Sequence, residues 1–205
     1  MQPVQNVVSS LFLILLTGCG TSQLTHVASV RNEQSTQSVN LWVAHQGGTV
    51  EGTRQARAEG VARPLFASCR GRATSIQVLN TDALSAFSWR NGRIYVTRGL
   101  MDRLDDAELA AVIAHELGHL LSDGQLQTVA SLNGCSVNPD REVRADAVGV
   151  ALLRAQGLSA KPMISMLKKT VEYGSLPPTG RLAMEHRIAL LSATDVNSAS
   201  AYFRP

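Results

Sequence analysis

The sequence predicts an α+β domain that is mostly helical and contains a small three-stranded sheet. Short segments in the middle of the chain alternate between apolar and polar residues or carry β-branched residues, which is typical of strands. Asn91-Gly92, between two of these segments, is a strong signal for a hairpin turn. Longer segments with apolar residues at helical spacing lie on both sides. The predicted strands are Ser75–Leu79, Leu84–Ser88 and Arg93–Thr97.

Five helices are predicted around this sheet. Asp105 and Asp106 suit the start of the second helix, because carboxylates are stabilised at the positive end of the helix dipole. Asn138 and Pro139 are a typical cap and first residue for the third helix, and Gly157 is a typical terminator. The predicted helices are Val50–Ser68, Asp106–Leu121, a helix between Asn138 and Gly157, Ala160–Tyr173 and Gly180–Leu191.

The composition excludes several classes of protein. Of 205 residues, 44% are hydrophobic and 17% are charged, which excludes a disordered or collagen-like chain. A net charge of +3 and an aromatic content of 4% argue against a nucleic-acid partner. The longest apolar run is shorter than the roughly 18 residues that a membrane-spanning helix needs. We therefore expect one globular domain that does not bind nucleic acid.

The N-terminal residues are expected to be an export signal. Val7–Leu16 is an apolar stretch of signal-peptide length, and the small residues Thr17 and Gly18 directly precede Cys19. This order resembles a bacterial lipoprotein signal, in which Cys19 is acylated and anchors the protein to a membrane. Gly20 then indicates the outer membrane, with the protein facing the periplasm.

Two alternatives to a lipoprotein signal stay open. Met1–Ser10 contains no Lys or Arg, so the segment could be an ordinary cleaved signal or could follow a misassigned start codon. The predicted division of the chain is a signal peptide at 1–18, a polar tether at 19–45, the folded domain at 46–195 and a tail at 196–205.

Two cysteines remain beyond Cys19. In an exported protein Cys69 and Cys135 favour a disulfide, and two unpaired buried thiols are the alternative. Neither cysteine has a CxxC neighbour, which argues against a cysteine-based zinc site.

The segment His115-Glu116-Leu117-Gly118-His119 in the second predicted helix is an HExxH motif, which indicates a metal-binding site. Histidines four residues apart lie one turn above each other, so both imidazoles can bind one metal ion. Glu116 is displaced by about 100° around the helix, where it can take a proton from an attacking water without being a ligand. An apolar stripe lies opposite, so we expect the histidines on the polar side of an amphipathic helix.

A catalytic zinc site needs a third protein ligand and an open fourth position. Glu142 and Asp146 lie four residues apart on the next predicted helix. Glu142 can complete a two-histidine, one-glutamate site, and Asp146 can accept the free N–H of a ligand histidine. For this stretch alone, solvated charges paired with Arg141 and Arg144 are the alternative. Beside the HExxH motif, the two carboxylates favour metal binding.

Over roughly Ser75–Leu191 the chain resembles the gluzincin metallopeptidases, which include the CAAX prenyl protease, the heat-shock protease HtpX and several periplasmic lipoproteins. The resemblance is carried by the segment Asn91–Leu100, by the HELGH helix that begins at Asp106, and by the Glu-x-x-x-Asp-x-x-Gly motif that ends at Gly149. It implies a zincin-like metallopeptidase domain.

The resemblance also implies roles for individual residues. His115, His119 and Glu142 would bind one Zn²⁺ per chain, and Glu116 would be the general base. The strand around Leu84–Trp89 would line the substrate cleft, where a polypeptide could add as an extra strand.

One residue expected from the family is absent near the C-terminus. Family members usually carry a histidine about six residues before an Arg-Ile or Arg-Leu pair, and that histidine lies over the site. The corresponding positions here hold Ser175 or Arg181. Arg181 is a candidate oxyanion stabiliser because it is a permanent cation, and His186 is a weaker candidate. The alternative is that both lie on the surface of the last helix.

The predicted function is zinc-dependent hydrolysis of peptide bonds in unfolded or misassembled cell-envelope proteins, so polypeptides are the expected substrates. A zinc-containing chaperone or assembly factor with little proteolysis is one alternative, because the late histidine is absent. A latent protease held shut by Glu108, Asp123 or the Asn133–Val137 loop is another. The oligomeric state is not predicted.

Overall fold

The structure is a computed structural model that describes residues 39–69, 73, 75–89, 92–122, 139–174 and 176–201, with side chains up to residue 195. Among these residues, no helix is both long enough and apolar enough to cross a bilayer. The elements in chain order are α1 (residues 39–45), β1 (Thr49–Val50), α2 (Thr53–Ala67), β2 (Ser75–Leu79), β3 (Ala86–Ser88), β4 (Arg93–Thr97), α3 (Arg98–Met101), α4 (Asp106–Ser122), α5 (Pro139–Ala155), α6 (Lys161–Tyr173) and α7 (Pro178–Ala201).

The sheet has the strand order β1-β2-β4-β3, with β2 and β4 parallel and both outer pairs antiparallel. The three predicted strands are confirmed, although the second is shorter than Leu84–Ser88. The fourth strand, β1, was not predicted because two residues are too few to show an alternating pattern. Gly92 closes the β3–β4 hairpin with a φ of +80°, a conformation that glycine adopts without steric cost.

The two faces of the sheet are covered by different parts of the chain, because successive side chains of a strand point to opposite sides. Ile94 and Val96 of β4 belong to the main core, which is shared with the helices α2, α4 and α6. Tyr95 lies between them and points to the other face, where its ring stacks on Phe87 at a centroid distance of 4.9 Å. The main core therefore joins the sheet to the helix that carries the HExxH motif.

The domain begins earlier than predicted. Residues 39–45, assigned to the polar tether, form α1, and Val39 is fully buried on the second face of the sheet. Trp42 packs edge-on against Phe87, with ring centroids 4.5 Å apart. These few apolar side chains follow a long polar stretch, so the sequence did not indicate a helix there. The predicted boundary at residue 46 therefore lies too late in the chain.

Helix α4 lies at the centre of the domain. Every residue from Glu108 to Gly118 is buried, because α2, α5, α6 and β3 all pack around the helix. Its predicted bounds are nearly right, but the prediction of an amphipathic helix with the histidines on its polar side is wrong, because α4 is buried on every side. The histidines lie inside the domain, where a carboxylate from another helix can reach them.

The first turn of α4 is held by Glu108 through contacts remote from the histidines. Glu108 and Asp105 form a capping box, in which each side chain accepts a hydrogen bond from the backbone N–H of the other. Ser165 and Lys169 of α6 donate to the same carboxylate, each at 2.6 Å. Glu108 precedes His115 by two helical turns, about 10 Å along the axis. The structure therefore does not support Glu108 as a group that closes the metal site.

Candidate metal centre

His115 and His119 are presented as a pair by α4. Their ring centroids lie 4.7 Å apart, and the ring planes are nearly perpendicular at 81°. His115 is 8% exposed, and His119 is partly buried. Spacing by one helical turn thus brings two potential nitrogen ligands to one point inside the domain.

Helix α5 approaches α4 closely because the contact is made of small residues. A Cβ at Gly118 would lie 2.3 Å from the carbonyl oxygen of Ala145, and a Cβ at Gly149 would lie 3.1 Å from the backbone of Ala114. The two contacts run in opposite directions along the two sequences, so the helices are antiparallel here. The glycine of the HELGH sequence therefore brings α5 close enough to complete the site.

Glu142 in the first turn of α5 faces both histidines. Its Oε2 lies 3.3 Å from Nε2 of His115, and its Oε1 lies 3.3 Å from Nε2 of His119. One ligand atom from each of the three residues lies within 4.8 Å of the others. The alternative that Glu142 is a solvated helix charge is therefore excluded by its position.

Asp146 lies one turn further along α5 and holds the other side of the His115 ring. Its Oδ1 is 2.8 Å from Nδ1 of His115, and its side chain is 3% exposed. A hydrogen bond from Nδ1–H to this carboxylate leaves Nε2 as the nitrogen that can bind a metal ion. This is the geometry expected for Asp146 from the sequence.

Arg187 of α7 is part of the site and was not among the predicted site residues. Its Nε and Nη2 donate to the two oxygens of Asp146 at 2.6 and 2.7 Å, and its Nη1 donates to Oε2 of Glu142 at 3.2 Å. The residue is 6% exposed. The sequence signal for Arg187 is the Arg187-Ile188 pair of the family pattern. In the sequence analysis this pair served only to mark the position of a histidine six residues earlier.

Glu116 is 7% exposed and belongs to the same charged group. Burial lowers the pKa of Arg187, but Asp146, Glu142 and Glu116 together outweigh burial and raise this pKa above its usual range. With neutral imidazoles, three carboxylates and one guanidinium leave a formal charge of −2. A divalent cation neutralises that charge, so these residues fit a metal ion of this charge.

The hydrogen bonds around His115 change its acidity. Burial alone lowers the pKa of His115, but the bonds to Asp146 and Glu142 outweigh burial and raise the pKa to about 9. Burial raises the pKa of Glu142, while the bonds to His115 and His119 hold it well below its usual range. Without a metal ion, His115 therefore donates from both ring nitrogens at neutral pH, and metal binding must displace the proton on Nε2.

The two candidate oxyanion stabilisers do not join this group. Arg181 and His186 are both exposed on α7. At 100° per residue they are rotated by roughly 120° and 100° from the buried Arg187, so only Arg187 points inward. The alternative that Arg181 and His186 are surface residues is the one the structure supports.

The cysteine predictions are only partly covered by the structure. Cys69 is a free thiol, 3% exposed, and burial raises its pKa. It packs into the main core as a small apolar side chain, and the disulfide with Cys135 stays a prediction. Cys19, Cys135, Asp123 and the Asn133–Val137 loop lie outside the described residues.

Part of the chain is similar in sequence to known peptidases. Residues 49–138 match the model of Peptidase family M48. Over 60 residues the chain is 38% identical to the metalloprotease LoiP and 35% identical to the metalloprotease YcaL, both of Escherichia coli (strain K12); each match covers 29% of this chain and 24% of the relative. Over 62 residues it is 42% identical to a protease HtpX homolog of Dictyoglomus thermophilum, covering 28% of this chain and 20% of that protein.

These matches confirm the predicted fold, and they support the resemblance to metalloproteases of this family over residues 49–138. The architecture, mostly helical with a small mixed sheet, is that of an α+β zincin-like metallopeptidase domain. The matched family segment contains the HExxH helix and ends before Glu142. The matches to the curated relatives span at most 24% of their length.

Proposed function

We propose that the chain is a zinc-dependent metalloendopeptidase that cleaves unfolded or misassembled polypeptides of the cell envelope. The observation that carries the proposal is the convergence of His115, His119 and Glu142 on one point, with Glu116 buried in the same group. In the described part of the chain the ligand group stops at three residues. Three protein ligands are typical of catalytic zinc, whereas structural zinc is closed by a fourth.

The chemistry follows from the roles of these side chains. Bound Zn²⁺ supplies a Lewis acid that polarises a carbonyl and lowers the pKa of water to about 7. Glu116 takes the proton of the attacking water and returns it to the leaving amine. His115 is kept in the ligating tautomer by Asp146, and the domain around α4 excludes bulk water from the buried side of the group.

The sheet offers one edge for a substrate strand. At the β2 edge, β1 pairs with only two residues, and the side chain of Gln55 binds the backbone of Ile76 and Val78 at 2.8 and 3.0 Å. At the opposite edge, β3 is the outermost strand of the sheet among the described residues, and α4 packs beside this strand. We infer that a polypeptide adds to β3 through backbone hydrogen bonds, which tolerate many sequences.

The envelope setting of the proposal rests on the sequence alone. The apolar segment before Cys19 supports a lipid anchor and a periplasmic location. Mass spectrometry of the exported chain tests the anchor: acylation of Cys19 adds lipid mass, and Cys19→Ser removes it. An unmodified Cys19 in exported protein would contradict the anchor.

The test of the activity compares the full chain with its Glu116→Gln variant on unfolded casein after zinc is supplied. We expect cleavage by the unsubstituted chain, inhibition by a chelator and recovery when zinc is restored. Glu116→Gln should keep its zinc and lose cleavage, because the amide cannot accept the proton of the water. Glu172→Gln, an exposed change on α6, is the matched control and should cleave normally.

The same experiment separates the proposal from a zinc-containing chaperone. The exposure of Arg181 and His186 favours this second candidate, since neither residue is placed to stabilise a transition state. A chaperone would bind casein equally well with Glu116 or Gln at this position and would release it uncut. Cleavage by Glu116→Gln at the normal rate would contradict the proposed role of Glu116.

A further inference from the structure

Arg187 contributes a buried positive charge right beside a group that fits a cation. Its side chain is 7% exposed, and four of its N–H donors have partners: two oxygens of Asp146, Oε2 of Glu142, and Sδ of Met184 at 3.5 Å. If only charge mattered, the positive charge of Arg187 would weaken the binding of a metal ion by repulsion. Its presence at the site must therefore have a reason other than its charge, and the geometry of its contacts gives one.

The guanidinium joins both carboxylates of α5 in one arrangement. Its Nε and Nη2 meet the two oxygens of Asp146 side by side, which fixes the plane of that carboxylate. The same Asp146 oxygen that accepts from Nη2 also lies 2.8 Å from Nδ1 of His115. Arg187 therefore orients the His115 ring through Asp146.

Arg187 also connects the site to the last helix. Helix α7 packs mainly against α6 and touches α5 at few points. The bonds from Arg187 to Asp146 and Glu142 join α7 directly to α5. Both the third ligand, Glu142, and the support of the first, Asp146, therefore depend on one side chain of α7.

We propose that Arg187 is a positioning residue of the metal centre, which orients Asp146 and Glu142 so that His115 and Glu142 are ready to bind the ion. This inference rests on the metal binding of the proposed function and not on its proteolysis. The fork of donors is the property that matters, because a lysine carries the same charge but only one nitrogen.

The test measures zinc affinity by competition with a chelator in the full chain and in Arg187→Met and Arg187→Lys. Loss of a purely repulsive charge would strengthen zinc binding in Arg187→Met. We expect the opposite, a loss of affinity of about 10- to 100-fold, the usual effect of removing a group that orients a ligand. Arg187→Lys should lose affinity to a similar extent, because it keeps the charge and lacks the fork.

Arg144→Met is the matched control. Arg144 lies on α5 between Glu142 and Asp146 but is exposed, so its removal takes away one nearby positive charge without touching the buried group. Zinc affinity in this variant should stay within about twofold of the original, since an exposed charge is largely screened. Circular dichroism of each metal-free variant checks that the fold is intact.

The visible absorption of the Co²⁺-loaded proteins gives a second readout that a general loss of stability would not change. We expect an altered spectrum in both Arg187 variants and an unchanged one in Arg144→Met. If folded Arg187→Met, or Arg187→Lys where Met prevents folding, binds zinc as tightly as the unsubstituted chain, the inference is overturned. If the unsubstituted chain binds no zinc, the proposed function fails first, and the two failures are distinguishable.

Discussion

Nδ1 of His115 lies 2.8 Å from Oδ1 of Asp146, so the ring nitrogen that faces away from the ligand group is held by a carboxylate of the neighbouring helix. This relationship fixes which nitrogen of His115 is presented to the metal ion. It also places Asp146 between two partners, because Arg187 binds both oxygens of the same carboxylate.

The first prediction concerns this carboxylate. Asp146→Asn should weaken zinc binding by about 10- to 100-fold, because the amide no longer holds the His115 ring and the Arg187 guanidinium with a full negative charge. Chelator competition measures the change. Asp140→Asn, an exposed substitution in the first turn of the same helix, is the control and should bind zinc normally. Equal affinities for Asp146→Asn and the control would show that Asp146 does not support the ligand.

The second prediction concerns the contact between α4 and α5. Gly118→Ala places a methyl group 2.3 Å from the carbonyl oxygen of Ala145, so the helices must separate and Glu142 must move away from the histidines. We expect a loss of about 1–3 kcal/mol in the free energy of unfolding, together with weaker zinc binding. Denaturation and chelator competition measure the two effects.

Gly60→Ala is the control for this change. A Cβ at Gly60 meets nothing within 4 Å, and the residue lies inside α2. Alanine there should stabilise the fold by up to about 1 kcal/mol through helix propensity. If Gly118→Ala behaved like Gly60→Ala, the close approach of α4 and α5 would not be what positions Glu142.

The local parts of the site could be predicted from the sequence because they depend on fixed helical geometry. The spacing of His115 and His119 puts both on one side of any helix, and the spacing of Glu142 and Asp146 does the same on the next. The strand β4 and the hairpin at Gly92 were also predicted, since strong local signals coincide there.

The parts that depend on packing between distant segments could not be predicted. Arg187 lies 41 positions after Asp146, and no local pattern shows which arginine of α7 turns inward. Comparison with a family position makes Arg181 a candidate oxyanion stabiliser, but helical rotation places it on the surface, as the alternative has it. The burial of α4 on all sides likewise depends on how many elements surround it.

The third prediction concerns the pH dependence of zinc binding. The pKa of His115 is raised to about 9 in the metal-free protein, so below that pH a proton must leave Nε2 before the ion can bind. Zinc affinity should therefore rise with pH by about tenfold per unit up to about pH 9 and level off above it. Competition titrations between pH 6 and 10 test this, and an affinity that is constant from pH 7 to 9 would contradict it.

The fourth prediction concerns acid stability. Burial raises the pKa of Glu108, but the bonds from Lys169 and Ser165 outweigh burial and lower it. The ionised Glu108 therefore stabilises the fold above its ordinary pKa, and this contribution is lost as the pH falls through the lowered value. Glu108→Gln should reduce the free energy of unfolding at pH 7 by about 1–3 kcal/mol.

The difference between Glu108→Gln and the unsubstituted chain should shrink as the pH falls below about 4.5, the ordinary pKa of the group. Denaturant titrations from pH 7 downwards measure it, with the exposed Glu172→Gln as control. A difference that is the same at every pH would mean that the charge of Glu108 plays no part in holding α6 against α4.

The central claim is that one divalent ion is bound between α4 and α5 by His115, His119 and Glu142. The most direct measurement is the zinc content of the purified full chain after zinc is supplied and the excess is removed. We predict one zinc per chain, and much less than one in His119→Ala and in Glu142→Ala. A chain that retains no zinc, or a His119→Ala variant that retains one zinc per chain, would contradict the account.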